Sequence, residues 1–254
     1  MEINKIYNED CLETFKRLPD KCIDLIIADP PYEIVSGGGG GCFGVEQRDY
    51  HNGVKSLSDG FENVILDECK RILKVFNCYF FCSKDQVLQI LLWAKENNMN
   101  TDILCYHKLN PIPTTNNKYL SDTEYIIFMR GQGAYLGGDY ASKKKYFLQN
   151  NSKSEFNHPT VKPLNIIRTL IVNSSKENDL VFDPFMGSGT TAHACIIEKR
   201  KYLGSEINAE YFKVLTKRIN NEISQTKLFW KNRGAVWFFY FMVVLNFPYY
   251  VVLN

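Results

Sequence analysis

Asp29-Pro30-Pro31-Tyr32 is the segment of this chain whose residue types and spacing are best suited to chemistry. Two successive prolines remove two backbone donors and fix φ, so the segment cannot continue a strand ladder and reads as a rigid loop. A carboxylate on such a loop accepts a hydrogen bond from an amino group. The Pro30 carbonyl accepts a second, and the Tyr32 ring offers a stacking face. Together they suit a flat heterocycle bearing an exocyclic NH₂. Such a conjugated amino group is a poor nucleophile, and two acceptors aimed at its hydrogens draw it toward a tetrahedral nitrogen with a free lone pair. A plain rigid turn with a packed tyrosine would use the same four residues, so the motif alone leaves both readings open.

The second segment runs Val181-Phe182-Asp183-Pro184-Phe185-Met186-Gly187-Ser188-Gly189-Thr190-Thr191. Residues 180–182 form a short apolar run, as expected of a strand covered on both faces. Gly187 and Gly189 allow a sharp turn and the close approach of a ligand. Thr190 and Thr191 are placed to cap a helix over residues 192–199. A further strand, 201–205, ends at Glu206, roughly 20 residues after the glycines, where an acidic side chain can hold ribose hydroxyls. A glycine turn of this kind also occurs in nicotinamide-dependent oxidoreductases and in ordinary strand–helix connections.

The elements that must position these segments follow from periodicity. Residues 3–7, 23–28, 76–82, 102–107 and 124–129 read as strands, and 11–18, 61–74, 85–96, 164–172 and 208–222 as helices. Ser83 is placed to cap the third of these helices, and Pro163 initiates the fourth. Strands 102–107 and 124–129 form a hairpin-like pair that closes one edge of a sheet. The run of strand 180–183, helix 190–199, strand 201–205 and helix 208–222 is βαβα, so the sheet is mostly parallel. Residues 37–41 are all glycine and open a loop-like stretch to about residue 59, read as a mobile loop beside the proline motif.

The composition shifts at residues 131–157, rich in Gly, Lys, Asn, Ser and Tyr. Lys143, Lys144 and Lys145 stand next to Tyr146 and Phe147 there, a candidate for contact with nucleic-acid phosphates as well as an ordinary solvated face. The 254 residues suffice for one α/β domain with insertions, and a net charge of +2 permits nucleic-acid binding without demanding it. The eight cysteines form no CxxC pair, and they and the four histidines have no zinc-like spacing, so no metal is expected. With no export signal read at the N-terminus, the thiols are taken as reduced and the protein as cytoplasmic. Residues 237–253 are nearly all aromatic and β-branched, but Asn246 and Pro248 interrupt them too much for a membrane span. An added edge strand, a membrane-associating tail and sequence foreign to the fold all remain open for 227–254.

With both motifs present, the chain resembles the S-adenosylmethionine-dependent DNA amino-methyltransferases. The base-holding motif precedes the cofactor motif, which resembles their beta class with its permuted order. Tyr7-Asn8-Glu9-Asp10-Cys11 resembles the family's adenine-ring segment. His158-Pro159-Thr160-Val161-Lys162-Pro163-Leu164 resembles its segment on the methionine part of the cofactor, and Gly204-Ser205-Glu206-Ile207-Asn208 its ribose segment. Lys108-Leu109-Asn110-Pro111 resembles the segment lining the base pocket. The resemblance spans about residues 3–224.

It implies an α/β fold with a mostly parallel, Rossmann-like methyltransferase sheet, helices on both faces and a circularly permuted motif order. The catalytic domain would be residues 1–226, with 131–157 as a small target-recognition insertion. The implied cofactor is S-adenosyl-L-methionine, held by Asp10, Cys11, Thr160, Lys162, Asp183, Phe185, Gly187, Gly189, Thr190, Glu206 and Asn208. Asp29, Pro30, Pro31 and Tyr32 would hold the base, and Lys108, Asn110 and Lys143 to Lys145 would meet DNA. The implied reaction is methyl transfer to the N6 amino group of adenine in double-stranded DNA. Cytosine-N4 transfer is the nearest alternative, and a non-catalytic DNA-binding module or a nicotinamide-dependent oxidoreductase are more distant ones. A second copy and a cognate restriction endonuclease are the macromolecular partners that such an enzyme would have.

Overall fold

A computed structural model describes residues 1–30, 63–111, 113, 119–150 and 161–225. Pro31, Tyr32, the glycine run, Thr160 and the apolar tail after residue 226 lie outside the described residues. The strands are β1 (Lys5–Tyr7), β2 (Leu25–Ala28), β3 (Asn77–Cys82), β4 (Asn100–Lys108), β5 (Thr123–Arg130), β6 (Tyr146–Gln149), β7 (Leu180–Asp183) and β8 (Lys201–Ser205). The helices are α1 (Cys11–Arg17), α2 (Asn63–Ile72), α3 (Lys84–Glu96), α4 (Leu164–Ser174), α5 (Thr190–Ile197) and α6 (209–225).

One sheet holds all eight strands in the order β1-β8-β7-β2-β3-β5-β4-β6. The first five pair in parallel, β5 runs antiparallel to both β3 and β4, and β6 is parallel to β4. The chain therefore carries a mostly parallel, mixed sheet. The β4–β5 pair lies inside it rather than closing its edge. Edge duty falls to β6, from the lysine- and tyrosine-rich stretch that has weak periodicity. Its four residues alternate between exposed and half-buried, a pattern too short and too polar to register as a strand before its pairing with β4 is known.

The core is legible in the alternation along the central strands. Ile26, Ala28, Cys78, Phe80 and Phe182 point to one face, with Phe15, Leu18, Leu66, Ile72 and Ile90 of α1, α2, α3 and their flanks. Leu25, Ile27, Tyr79, Phe81 and Val181 point to the other, against Ile167, Leu170, Ala194, Leu215 and Ile219 of α4, α5 and α6. Helices thus cover both faces, which is why β2, β3 and β7 are apolar at nearly every position. Phe15 meets Phe182 edge-on at 5.3 Å between ring centres. Tyr79 stacks on Phe128 at 4.3 Å, and its buried hydroxyl is satisfied by Ser174 Oγ at 2.7 Å. Burying side chains of this size contributes about 1.5–3 kcal/mol each, an upper figure.

Several local details differ from the pattern reading. Val64 is 41% exposed although it falls on the apolar stripe of α2. Ile23 only bridges Leu73 outside the regular strand. Thr190 and Thr191 do not cap α5; they lie inside its first turn, and Gly189, with φ of +79°, is the capping residue. For α3, the Ser83 amide donates to the Gln86 side chain at 3.0 Å, which satisfies one of the amides at the helix start.

Gly204 shows how closely β7 and β8 pack at the end that carries the glycine loop. A Cβ there would stand 2.5 Å from the Asp183 carbonyl oxygen. Gly204→Ala is expected to cost about 1–3 kcal/mol of stability, as overpacking does. Urea unfolding of the variant beside the parent measures it, and an unchanged midpoint would contradict the close packing.

Candidate active site

In a parallel sheet covered by helices, ligands bind beyond the carboxyl ends of the strands. Here β8, β7 and β2 are consecutive neighbours, and their ends deliver Glu206, Asp183 and Asp29. The direct pairing of β2 with β7, with Leu25 opposite Val181 and Ile26 opposite Phe182, sets the proline loop beside the glycine loop. Residues more than 150 positions apart in sequence are thereby adjacent in space.

Asp183 is 4% exposed. Its Oδ1 accepts the Phe185 amide at 2.9 Å, and the Thr191 hydroxyl donates to the same carboxylate. Burial pushes its pKa up to about 7; the nearby charges of Asp29 and Glu206 push the same way, while the Thr191 and Phe185 bonds oppose. Glu206 is also buried. Its Oε2 accepts the Gly187 amide at 2.8 Å, and its Oε1 the Asn208 amide at 2.8 Å. Burial raises its pKa, against the pull of these two amides. Neither carboxylate has an ion-pair partner among the described residues. Glu206 thus clamps the glycine loop to the end of β8, a structural duty beside the sugar-binding one expected of it.

Asp10 caps α1, its Oδ1 accepting the Leu12 amide at 2.8 Å. Cys11 is buried beneath it, and burial raises its thiol pKa far above the ordinary range. Asn8 donates to the Glu206 carbonyl at 2.8 Å, so the β1 end, with Asp10 and Cys11, is tied to the β8 end. Phe185 is half-buried and packs on the α1-side core. Thr190 is buried, with its hydroxyl 3.0 Å from Ser188 Oγ. Asn208 caps α6 through the Glu210 and Tyr211 amides at 2.9 and 3.1 Å. The space at Gly189 serves packing: a Cβ would lie 3.3 Å from Leu215 Cβ on α6, so the missing side chain makes room for a helix.

Lys162 departs most from expectation. It is 8% exposed, and its Nζ lies 2.7 Å from Asp29 Oδ2 and 3.3 Å from Glu124 Oε2. Lys108, expected at DNA, is ion-paired to Glu124 Oε1 at 2.6 Å. Asn110 and Lys143 are exposed. Lys144 sits over the Tyr146 ring at 5.8 Å, and Lys145 is ion-paired to Asp102.

Two contributors escape any sequence motif. Glu124 lies on β5, and nothing in its neighbours marks it. Arg218 of α6 donates to the Ser188 carbonyl at 2.8 Å and so holds the glycine loop from behind. Its other nitrogen is 3.2 Å from His193 Nδ1, while His193 Nε2 faces Glu222 at 3.2 Å. Arginine can only donate, so Nδ1 accepts and the ring proton sits on Nε2. Burial, aided by Arg218, lowers the His193 pKa against the pull of Glu222.

The chain matches the N6_N4_Mtase family, described as DNA methylase, over residues 23–217. It is 28% identical over 242 residues to the type II methyltransferase M2.MboI of Moraxella bovis, covering 86% of this chain and 88% of that protein. It is 28% identical over 247 residues to the type II methyltransferase M.HinfI of Haemophilus influenzae, covering 85% of this chain and 68% of that one. Among solved structures, the M1.HpyAVI–SAM complex superposes with a TM-score of 0.65 at 27% identity, covering 85% of this chain and 98% of that one.

The raised pKa of Asp183 makes stability depend on pH. The folded chain holds this proton up to about pH 7 and the unfolded chain only to about 3.8. The contribution is therefore complete below pH 3.8 and is lost as pH rises through about 7. Asp183→Asn keeps an oxygen for the Phe185 amide and removes the titration. Between pH 5 and 7 the parent is expected to lose stability relative to this variant, by up to about 1.4 kcal/mol per unit. Parallel unfolding free energies across that range would show that Asp183 titrates as an ordinary carboxylate.

Proposed function

The chain belongs to the N6/N4 DNA methylase family, and we propose that within it this protein transfers a methyl group to the N6 amino group of adenine in DNA. The observation that carries the reading is the adjacency of the two loops. Asp29 and Pro30 follow β2 and the glycine loop follows β7, and these strands are paired. A base held on one loop meets a cofactor held on the other.

The cofactor is S-adenosyl-L-methionine, and when bound it supplies an activated methyl group on a sulfonium. The residues present fit such a cation. Among the described residues the buried carboxyl groups of Asp183 and Glu206 meet hydroxyl and amide donors and no cation. The raised pKa of each reflects the cost of ionising there, which a positive ligand would offset. Asp183, Glu206, the Gly187–Gly189 loop and Phe185 would hold it, with Asp10, Cys11, Thr190 and Asn208 around them and Thr160 completing the set.

The chain's own work is positioning. The Asp29 carboxylate accepts one hydrogen bond from the amino group, and the Pro30 carbonyl accepts another. These two bonds pull the nitrogen out of conjugation and aim its lone pair at the methyl. Pro31 keeps the loop stiff, and Tyr32 stacks on the base. An amino group engaged in pairing is out of reach, so the base must leave the duplex. Asn110 and Lys143 to Lys145 are assigned to the DNA side, where exposed charge meets phosphate. Residues 1–226 form the catalytic domain, with 131–157 as its small target-recognition part. The proposed setting is the cytoplasm, and a second copy and a cognate restriction endonuclease are the proposed partners.

Asp29→Ala is expected to abolish methyl transfer while leaving cofactor affinity within about threefold, because the cofactor residues lie on other strands. Radiolabelled transfer with calorimetric titration reads both quantities. DNA from cells expressing the parent protein, digested to nucleosides, is expected to contain N6-methyladenine. N4-methylcytosine as the sole new base would overturn the adenine assignment, and near-normal turnover by the Asp29→Ala protein would overturn the role of the loop.

A further inference from the structure

Four charged side chains of alternating sign form a largely shielded chain at the edge of the base loop, with buried Lys162 between half-buried Glu124 and Asp29 and half-buried Lys108 at its end. Lys108 Nζ stands 2.6 Å from Glu124 Oε1. Glu124 Oε2 stands 3.3 Å from Lys162 Nζ, an ion pair outside aligned hydrogen-bond geometry. Lys162 Nζ stands 2.7 Å from Asp29 Oδ2. The side chains of Lys162 and Glu124 are 9% and 15% exposed, and the Lys162 ammonium also lies over the Phe81 ring at 5.2 Å.

Glu124 reaches this place because β5 runs against its neighbours. Its first residues meet the last residues of β3 and β4, with Tyr125 opposite Cys82 and Glu124 opposite Tyr106. The two central members, Glu124 and Lys162, are held charged. Burial works against ionisation of Glu124, but Lys162 and Lys108 outweigh it and keep its pKa low. Burial likewise works against Lys162, and Asp29 and Glu124 outweigh it and keep its pKa high.

Burying ions in this way costs desolvation that an apolar cluster of similar volume would avoid, so such a chain is weak evidence of a stabilising device. Its geometry does have a use. A lysine held only by Asp29 would be free to pivot about that carboxylate and would give it the whole of its charge. Glu124 grips the ammonium from a second side and takes part of that charge. Asp29 is then left pointing in one direction and still strongly accepting, and Lys108 balances Glu124 so that the cluster gains no net charge.

We propose that Glu124 is a positioning residue for methyl transfer, acting through Lys162 on the direction and charge of the Asp29 carboxylate. The proposal rests on the reading of Asp29 as the acceptor of the amino group, and it holds for either target base. Lys162 serves Asp29 in this account, rather than the cofactor directly.

The test uses the full chain, DNA and labelled S-adenosylmethionine, with single-turnover rates to resolve slow transfer. Glu124→Gln is expected to lower kcat roughly 10- to 100-fold, as small misplacements of a reacting group do. Cofactor Kd, the KM for DNA and the melting temperature should stay close to those of the parent. Glu124→Asp, which keeps the charge but shortens the reach, should recover part of the rate. In an Asp29→Asn background, where the ion pair to Lys162 is already gone, Glu124→Gln should cost less than about threefold more. An equal cost in both backgrounds would overturn the proposal. So would a rate loss that merely follows melting temperature and cofactor affinity, or no recovery by Glu124→Asp. Should Asp29→Asn retain full turnover, the acceptor reading itself falls and the proposal with it. Should Asp29→Asn lose turnover while Glu124→Gln does not, only the present proposal fails.

Discussion

Three carboxylates share one small, largely dry region at the ends of neighbouring strands, and the surroundings are arranged around that crowding. Like charges in low dielectric repel strongly and lose hydration at the same time. Each carboxylate is accommodated differently. Asp29 is paired with a buried lysine. Glu206 spends both oxygens on backbone amides. Among the described residues Asp183 meets an amide and a hydroxyl, and burial raises its pKa to about 7. The acidic character of this end of the sheet suits a cationic cofactor, whose charge would favour the ionised form of each carboxylate.

The crowding is created by strand order. β7 is inserted between β8 and β2, although it follows β2 by more than 150 residues. Parallel pairing gives β8, β7 and β2 a common carboxyl end, so Asp183 at the end of β7 is brought near Glu206 and Asp29, the residues that follow β8 and β2. β5 enters the sheet in the opposite sense and brings its first residues to the same end. Reversal of one strand is thus what supplies Glu124 to a site otherwise built from strand C-termini.

Rigidity comes from both layers. On one face, α6 packs Leu215 and Ile219 beneath the glycine loop, while Arg218 grips the Ser188 carbonyl. On the other, α1 packs Phe15 against Phe182, the residue just before Asp183. The loop is therefore held by hydrogen bonds at Gly187 and Ser188 and by steric contact at Gly189. Positioning chemistry depends on such support, because a loop that wanders by an ångström loses most of its advantage.

Local pattern was enough to find β2, β3 and β7, since strands covered on both faces must be apolar at nearly every position, and β8 followed from its place in the βαβα run. It was also enough to mark Asp29-Pro30 and the Gly187–Gly189 turn as loops at strand ends, because proline and glycine constrain the backbone whatever surrounds them. β6 was not legible, since a short amphipathic edge strand acquires its identity only from the partner it pairs with. The partners of Lys162 and Lys108 were hidden for a related reason. A lysine in sequence is a charge with a long reach, and only the packing of β4, β5 and the segment before α4 decides which carboxylate it meets. Glu124 carried no signal at all, because its role depends on the direction in which a distant strand enters the sheet. Residue types and backbone restrictions are local properties and can be read along the chain; ion pairs and strand neighbours are long-range and exist only once the sheet has closed around them.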